Sequence, residues 1–162
     1  MTDAEWLADK IGEIAQERHE LHVDAHGEQR CFSDHYEQIG LAGEFEFGAH
    51  IGQMPDLAQR LIGDRGWDFP VLFRYTVDVK AAAKPWYLIK EQASTKWADI
   101  YVLAGYETER RLAKCIGWEW GRKLKAAPVD AERFGHGVAN HYIAAAELRP
   151  MEELYARIWR LG

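Results

Sequence analysis

Hydrophobic and polar positions divide the chain into a helical first third and a strand-rich remainder. Thr2 followed by Glu5 forms a capping-box pattern, and Trp6, Leu7, Ile11, Ile14 and Ala15 then recur close to i, i+3/i+4. That stripe predicts an amphipathic helix running to about Val23. Residues 24–33 are polar and turn-like. A second helical pattern over 34–53 offers Tyr36, Ile39, Leu41, Phe45, Phe47 and Ile51 as core positions. Its glycines at 40, 43 and 48 cost about 1 kcal/mol each against alanine, which predicts close packing or a kink. Pro55 and Asp56 predict a short third helix over 57–62, ended by Gly63.

From Gly66 onward the period shortens. Residues 69–73 and 75–82 are rich in β-branched and aromatic side chains and lie close enough to form a hairpin. Residues 86–89 and 99–104 predict further strands, the second a continuous apolar run suited to a buried position. A turn is expected at 105–108, a strand at 112–118, and a short helix over 119–126 stopped by Pro128. Residues 134–140 read as a glycine-bearing loop and 141–145 as a short strand. Pro150 opens a final helix to Trp159, with Glu152 and Glu153 in its first turn, where the helix dipole favours acids. Helices, then a meander of strands, then a terminal helix predict an α+β domain with a central mixed β-sheet flanked by helices. No internal repeat, low-complexity segment or linker interrupts it.

Composition narrows the class. With 162 residues, 48% hydrophobic and 28% charged, the chain has the size and make-up of one globular domain with its own core. Cys31 and Cys115 are too few for a disulfide framework and lack metal-ligand spacing. No stretch approaches the roughly 18 apolar residues of a membrane span. The start, MTDAEWLADK, has no signal-peptide apolar region, so a cytoplasmic setting without membrane partners is expected. A net charge of −6 argues against coating nucleic acid by bulk attraction. It leaves room for an enzyme of nucleic acids, because a carboxylate-rich metal site is itself a source of negative charge.

The informative constellation is Trp67-Asp68, nine residues, then Asp78-Val79-Lys80. On a strand, 78 and 80 share one face while Val77 and Val79 share the other. In a hairpin of 69–73 with 75–82, Asp68 falls opposite the 78–80 region, with facing side chains roughly 5 Å apart. Carboxylates that close repel unless a proton or cation lies between them. Mg²⁺ takes oxygen ligands and commonly uses one or two carboxylates plus water and substrate phosphate. A lysine beside it could orient a water or stabilise charge building on a phosphate. The same residues also read as a solvated Asp–Lys pair on a surface hairpin, worth little energetically.

These residues resemble the PD-(D/E)xK nucleases of the restriction-endonuclease-like fold. Asp68 matches the first aspartate and Asp78-Val79-Lys80 the D-x-K, while Gly43-Glu44, within GLAGEFEFGAHIG, stands where the family places a helical glutamate. The order of elements matches too, and residues 97–158 look like small phage- or prophage-encoded members. Trp67 stands in place of the family's proline, and the ten-residue step between the aspartates is short. Glu46 competes with Glu44 for the helical role, since the two face different sides of a helix; Glu44 is preferred. The resemblance implies a single domain with an N-terminal helical extension over 1–35 and a nuclease-like core over 36–162. It implies Mg²⁺- or Mn²⁺-dependent hydrolysis of phosphodiester bonds, most readily in DNA, inside a bacterial host. Asp68 and Asp78 would be metal ligands, the Val79 carbonyl a third, Glu44 would act directly or through a water, and Lys80 would position the attacking water.

Other candidates carry less. His19, His22 and His26 could line one face of the first helix, but HELHVDAH is not the H-E-x-x-H of zinc proteases. His136, Asn140 and His141 flank a glycine loop that would either meet nucleic acid or close the sheet edge. Lys84, Lys90 and Lys96 could form a basic rim near the hairpin, and Lys114, Arg122, Lys123 and Lys125, interleaved with Trp118 and Trp120, a second phosphate-contact surface. No Walker-type loop or G-x-S-x-G elbow is present. The competing reading is a non-catalytic nucleic-acid-binding or phage assembly protein that keeps the fold. A histidine-based metal module is the third. The seven tryptophans make a second copy of the chain a further candidate partner.

Overall fold

In the computed structural model, which describes residues 2–26, 34–57, 66–72, 74–135 and 137–161, the chain folds as α+β with a central mixed sheet flanked by helices. Helix α1 spans Asp3–His26 and α2 spans Asp34–Ile51. The capping box closes as expected: Glu5 N–H donates to Thr2 Oγ1 at 3.2 Å and Thr2 N to Glu5 Oε2 at 2.6 Å. Helix α1 runs about one turn past its expected end. Residues 53–57 are not helical, and 58–65, the bulk of the expected third helix, lie outside the described residues.

Strands β1 (Phe69–Val71), β2 (Tyr75–Ala82), β4 (Ile100–Glu107) and β5 (Leu112–Trp120) form the central sheet in the order β1-β2-β4-β5. The β1–β2 hairpin is antiparallel with Phe69 opposite Val77. Strands β2 and β4 are parallel, and β4–β5 is an antiparallel hairpin with a register shift after Leu103. Strand β3 (Tyr87–Glu91) does not join this sheet. It pairs with β7 (Asn140–Ala144), which also pairs with the two-residue β6 (Val129–Asp130), in a separate antiparallel sheet. A parallel β2–β4 pair needs a crossover between its strands, and β3 is that crossover, so it is carried onto the face of the sheet instead of its edge.

Both faces of the central sheet are therefore covered. On one, Phe47 and Ile51 of α2 and Met151, Leu154 and Ile158 of the last helix, α4 (Met151–Leu161), pack on Val77, Val79, Ile100, Val102 and Trp118. On the other, Leu88, Ile143 and Leu124 of the short α3 (Gly121–Lys125) cover Tyr101 and Leu103. Glu119 and Trp120, expected in a helix, belong to β5, because their strand partners are Tyr101 and Ile100. Pairing in the sheet outweighs their local helical preference. Helix α1 adds a third cluster, Ile11 and Ala15 against Ile39, Leu41, Ala42 and Tyr106. Arg111, in a left-handed conformation (φ 55°) at the end of the β4–β5 turn, anchors that turn to α1 through Asp9 at 2.7 Å. The described residues hold no helix long and apolar enough to cross a membrane.

Candidate active site

Two close approaches build the site. At Gly43 an added Cβ would lie 2.8 Å from the Ala81 Cβ and 3.3 Å from Val79 Cγ1, so α2 can rest on β2 only because that position has no side chain. Seating Gly43 there brings the next residue, Glu44, to the margin of β2. At Gly66, with φ +83°, a Cβ would meet the Lys96 stem at 2.6 Å. The chain turns in that left-handed conformation, which favours glycine, and then enters the hairpin through Trp67, half-buried against the Leu88–Tyr101 core.

Asp68 lies where β1 begins. Its N–H donates to Val77 O at 2.7 Å, and its Oδ2 accepts from Val79 N–H at 2.6 Å. A side chain thus continues the ladder one step beyond the strand, fixing the carboxylate over the 78–80 segment. Along β2, Val77 and Val79 enter the core beneath α2, so Asp78 and Lys80 take the opposite face, as alternation requires. Asp78 is only 2% exposed. Its Oδ1 is 2.6 Å from Lys80 Nζ, yet no hydrogen bond of good geometry satisfies that oxygen.

Glu44 completes the group. Burial pushes its pKa up to about 8, the Asp68 and Asp78 charges push it the same way, and Arg18 and Lys80 pull it down. Three acids and two cations therefore share one electrostatic environment, and at neutral pH Glu44 holds a proton that an exposed glutamate would have lost. Glu46, about 200° around the helix, belongs elsewhere. It meets His50 Nε2 at 3.1 Å and faces the buried Cys115, whose thiol burial pushes up to about 12 with Glu46 adding to the rise. The fold thus separates the two candidate glutamates and places Glu44 beside Asp68, Asp78 and Lys80.

Among the described residues, no three His, Cys, Asp or Glu side chains converge closely enough to hold a metal ion together. One Asp68 oxygen is engaged by a main-chain N–H and one Asp78 oxygen lies against Lys80. The donor set still suits a hard divalent cation, since two carboxylates with water and phosphate oxygens are sufficient for Mg²⁺. The under-satisfied, buried Asp78 Oδ1 is the atom such an ion would serve.

The remaining candidates disperse. His141 is buried, with its Nδ1 3.0 Å from Ala127 O and its ring against Trp97, which gives it a structural role. Asn140 donates to Val138 O at 2.9 Å, and His136 lies outside the described residues. Lys96 is exposed beside the Gly66 turn, next to the Asp68 segment, while Lys84 is exposed beyond β2 with its ammonium 5.8 Å from the Trp86 ring. The basic stretch divides: Lys114 is on β5, Lys123 pairs with Glu119 at 2.8 Å, and Arg122 and Lys125 lie over Trp120 and Trp97. Helix α1 continues through His26, so His19, His22 and His26 belong to one helix.

Sequence reasoning missed Arg18. It is half-buried, three residues after the buried Ala15 and seven after Ile11, a cation on the apolar stripe of an otherwise ordinary amphipathic helix. That misplaced charge was its signal. Compared with known proteins, the chain matches no family model, no curated protein and no solved structure.

Proposed function

We propose that the protein is a metal-dependent nuclease that hydrolyses phosphodiester bonds, with DNA as its substrate and Mg²⁺ or Mn²⁺ as its cofactor. One observation carries this reading. Asp68, fixed over the 78–80 segment, and the buried Asp78, against Lys80, lie within electrostatic reach of Glu44, whose pKa burial first and then the aspartate charges raise to about 8. A stable fold gains nothing from crowding acids in this way, whereas a divalent cation and a phosphate make use of it. The resemblance to PD-(D/E)xK nucleases rests on these same positions.

Asp68 and Asp78 would hold the ion, with Glu44 reaching it directly or through a water and the Val79 carbonyl as a further oxygen. When bound, the ion lowers the pKa of a water and clamps phosphoryl oxygens. Asp68 is held in place by Val79 N–H, so its carboxylate needs no reorganisation. Lys80, on the strand face beside Asp78, is the group to orient the attacking water and to meet negative charge gathering on the phosphate. Glu44 in its protonated state reduces the repulsion among the acids until a cation replaces that proton.

The experiment is cleavage of supercoiled plasmid, linear duplex and single-stranded DNA in Mg²⁺, Mn²⁺ or EDTA. Metal-dependent cutting by the wild type, reduced by about 10²–10³-fold in Asp78→Ala and Lys80→Ala, is the expected result. The second reading is a nucleic-acid-binding protein without the reaction, favoured by the contact of Lys80 with Asp78 in a site where no three acids converge among the described residues. DNA binding without cleavage, undiminished in both variants, would select it.

A further inference from the structure

Resting on that reading, we propose that Arg18 is a phosphate-binding residue of the site: its guanidinium, positioned by the Asp56 carbonyl, takes the substrate's phosphodiester oxygens. Arg18 Nη2 donates to Asp56 O at 2.8 Å. This fixes the plane of the guanidinium through a neutral acceptor. Among the described residues Arg18 has no ion pair, so its charge is anchored without being cancelled by contact. Lys80 differs in that respect, because its ammonium rests on the Asp78 carboxylate at 2.6 Å.

The charge count shows why a second cation matters. Asp68 and Asp78 would repel an approaching phosphate, as would Glu44 once it loses its proton, and Lys80 is already engaged by Asp78. Arg18 shares their environment, since its positive charge acts on Glu44. A guanidinium carries five N–H donors in a planar fork that matches two phosphate oxygens, and one of them suffices for the Asp56 carbonyl. Helix α1 reaches this place because Ile11 and Ala15 pack against Ile39, Leu41 and Ala42 of α2, the helix that carries Glu44. The N-terminal segment, outside the family resemblance, would then supply part of the site.

A purely structural Arg18 would tie α1 to the chain after α2 through the same hydrogen bond, so the test must read phosphate contacts directly. Binding of labelled single-stranded and duplex oligonucleotides is measured by anisotropy in EDTA over a range of salt, for wild type, Arg18→Met and Arg18→Lys, with melting temperatures recorded. Losing one phosphate contact should lower the slope of log K against log salt by about 0.7 on single strands and about 0.9 on duplex. Arg18→Met is expected to show that loss with affinity reduced about tenfold at low salt, while Arg18→Lys keeps the slope and recovers part of the affinity. An unchanged slope in Arg18→Met overturns the proposal, whether affinity is retained or falls together with the melting temperature. If the wild type binds DNA and only Arg18→Met behaves normally, the nuclease reading survives and Arg18 alone is excluded. If the wild type binds no oligonucleotide, the Arg18 proposal falls, while the nuclease reading stands or falls on metal-dependent cutting of the plasmid.

Discussion

Asp78 and Glu119 lie in one row across the central sheet, each directly opposite Tyr101 on β4. Both are buried, 2% and 0% exposed. Around Glu119 every charge is answered: Lys123 Nζ is at 2.8 Å, Arg149 Nε at 3.8 Å, and Trp120 N–H donates at 2.9 Å. Around Asp78 the balance differs: Lys80 Nζ is at 2.6 Å, yet Oδ1 has no hydrogen bond of good geometry, and Glu44 nearby feels both aspartates against Arg18 and Lys80. A buried carboxylate with its cations is an ordinary way to close a sheet edge against a helix. A buried carboxylate oxygen left without a hydrogen bond among further acids favours a cation or a proton, and the proposed function rests on that difference.

Removing the cations on the balanced side should have the largest effect on stability. Lys123→Met with Arg149→Met leaves Glu119 buried without a counter-charge. The expected loss is about 3–5 kcal/mol, read by urea denaturation, and nuclease activity per folded molecule should be unchanged. A loss below about 1 kcal/mol would mean that Glu119 is not held by these cations and that the contrast with Asp78 is empty.

Removing an acid on the surplus side should do the reverse. In the folded state Glu44 keeps its proton up to about pH 8, while in the unfolded chain it releases it near 4.5. Between those values the folded state binds more protons than the unfolded, so stability falls as pH rises, and above about pH 8 the full penalty is present. Glu44→Gln removes that penalty. The variant should match the wild type near pH 4 and exceed it by about 1–3 kcal/mol above pH 8, while cutting more slowly in the plasmid assay. Equal stability at both ends of the range would remove the strain on which the functional reading leans.

Gly43→Ala sharpens the comparison by geometry alone. Its Cβ would overlap that of Ala81 at 2.8 Å, moving α2 and Glu44 outward. Overpacking of about 1–3 kcal/mol is partly offset by about 1 kcal/mol of helix propensity, so a net loss of about 1 kcal/mol is expected, with cleavage reduced more than stability. Glu46→Gln gives the smallest effect. Its partner His50 is exposed on the helix surface, and a change within about 0.5 kcal/mol with full cleavage is expected in thermal melts and plasmid digestion; lost cleavage would move the helical acid from Glu44 to Glu46.

Much of this arrangement was legible in the chain. Alternation along residues 75–82 placed Val77 and Val79 inward and Asp78 and Lys80 together, and the hairpin set Asp68 opposite them, because strand period and turn length are local properties. The second helix followed from 3.6-residue periodicity, and its glutamate from the family resemblance alone. Three features were not legible. Strand β3 has an ordinary strand pattern, and only its pairing with β7 removes it from the central sheet. Glu119 read as helical until β4 claimed it as a strand partner. Glu44 and Glu46 are two residues apart with similar neighbours, and choosing between them took the packing of α2 on β2.

The sequence by itself determined the periods, the hairpin and the inventory of acids and cations. The tertiary structure decided which acids meet, that Arg18 of α1 joins them, and that Glu44 holds its proton at neutral pH. The physical reason is that a carboxyl group's charge state depends on desolvation and on charges brought near by residues distant in the chain. Those quantities come into being only when helices and sheet close around the site.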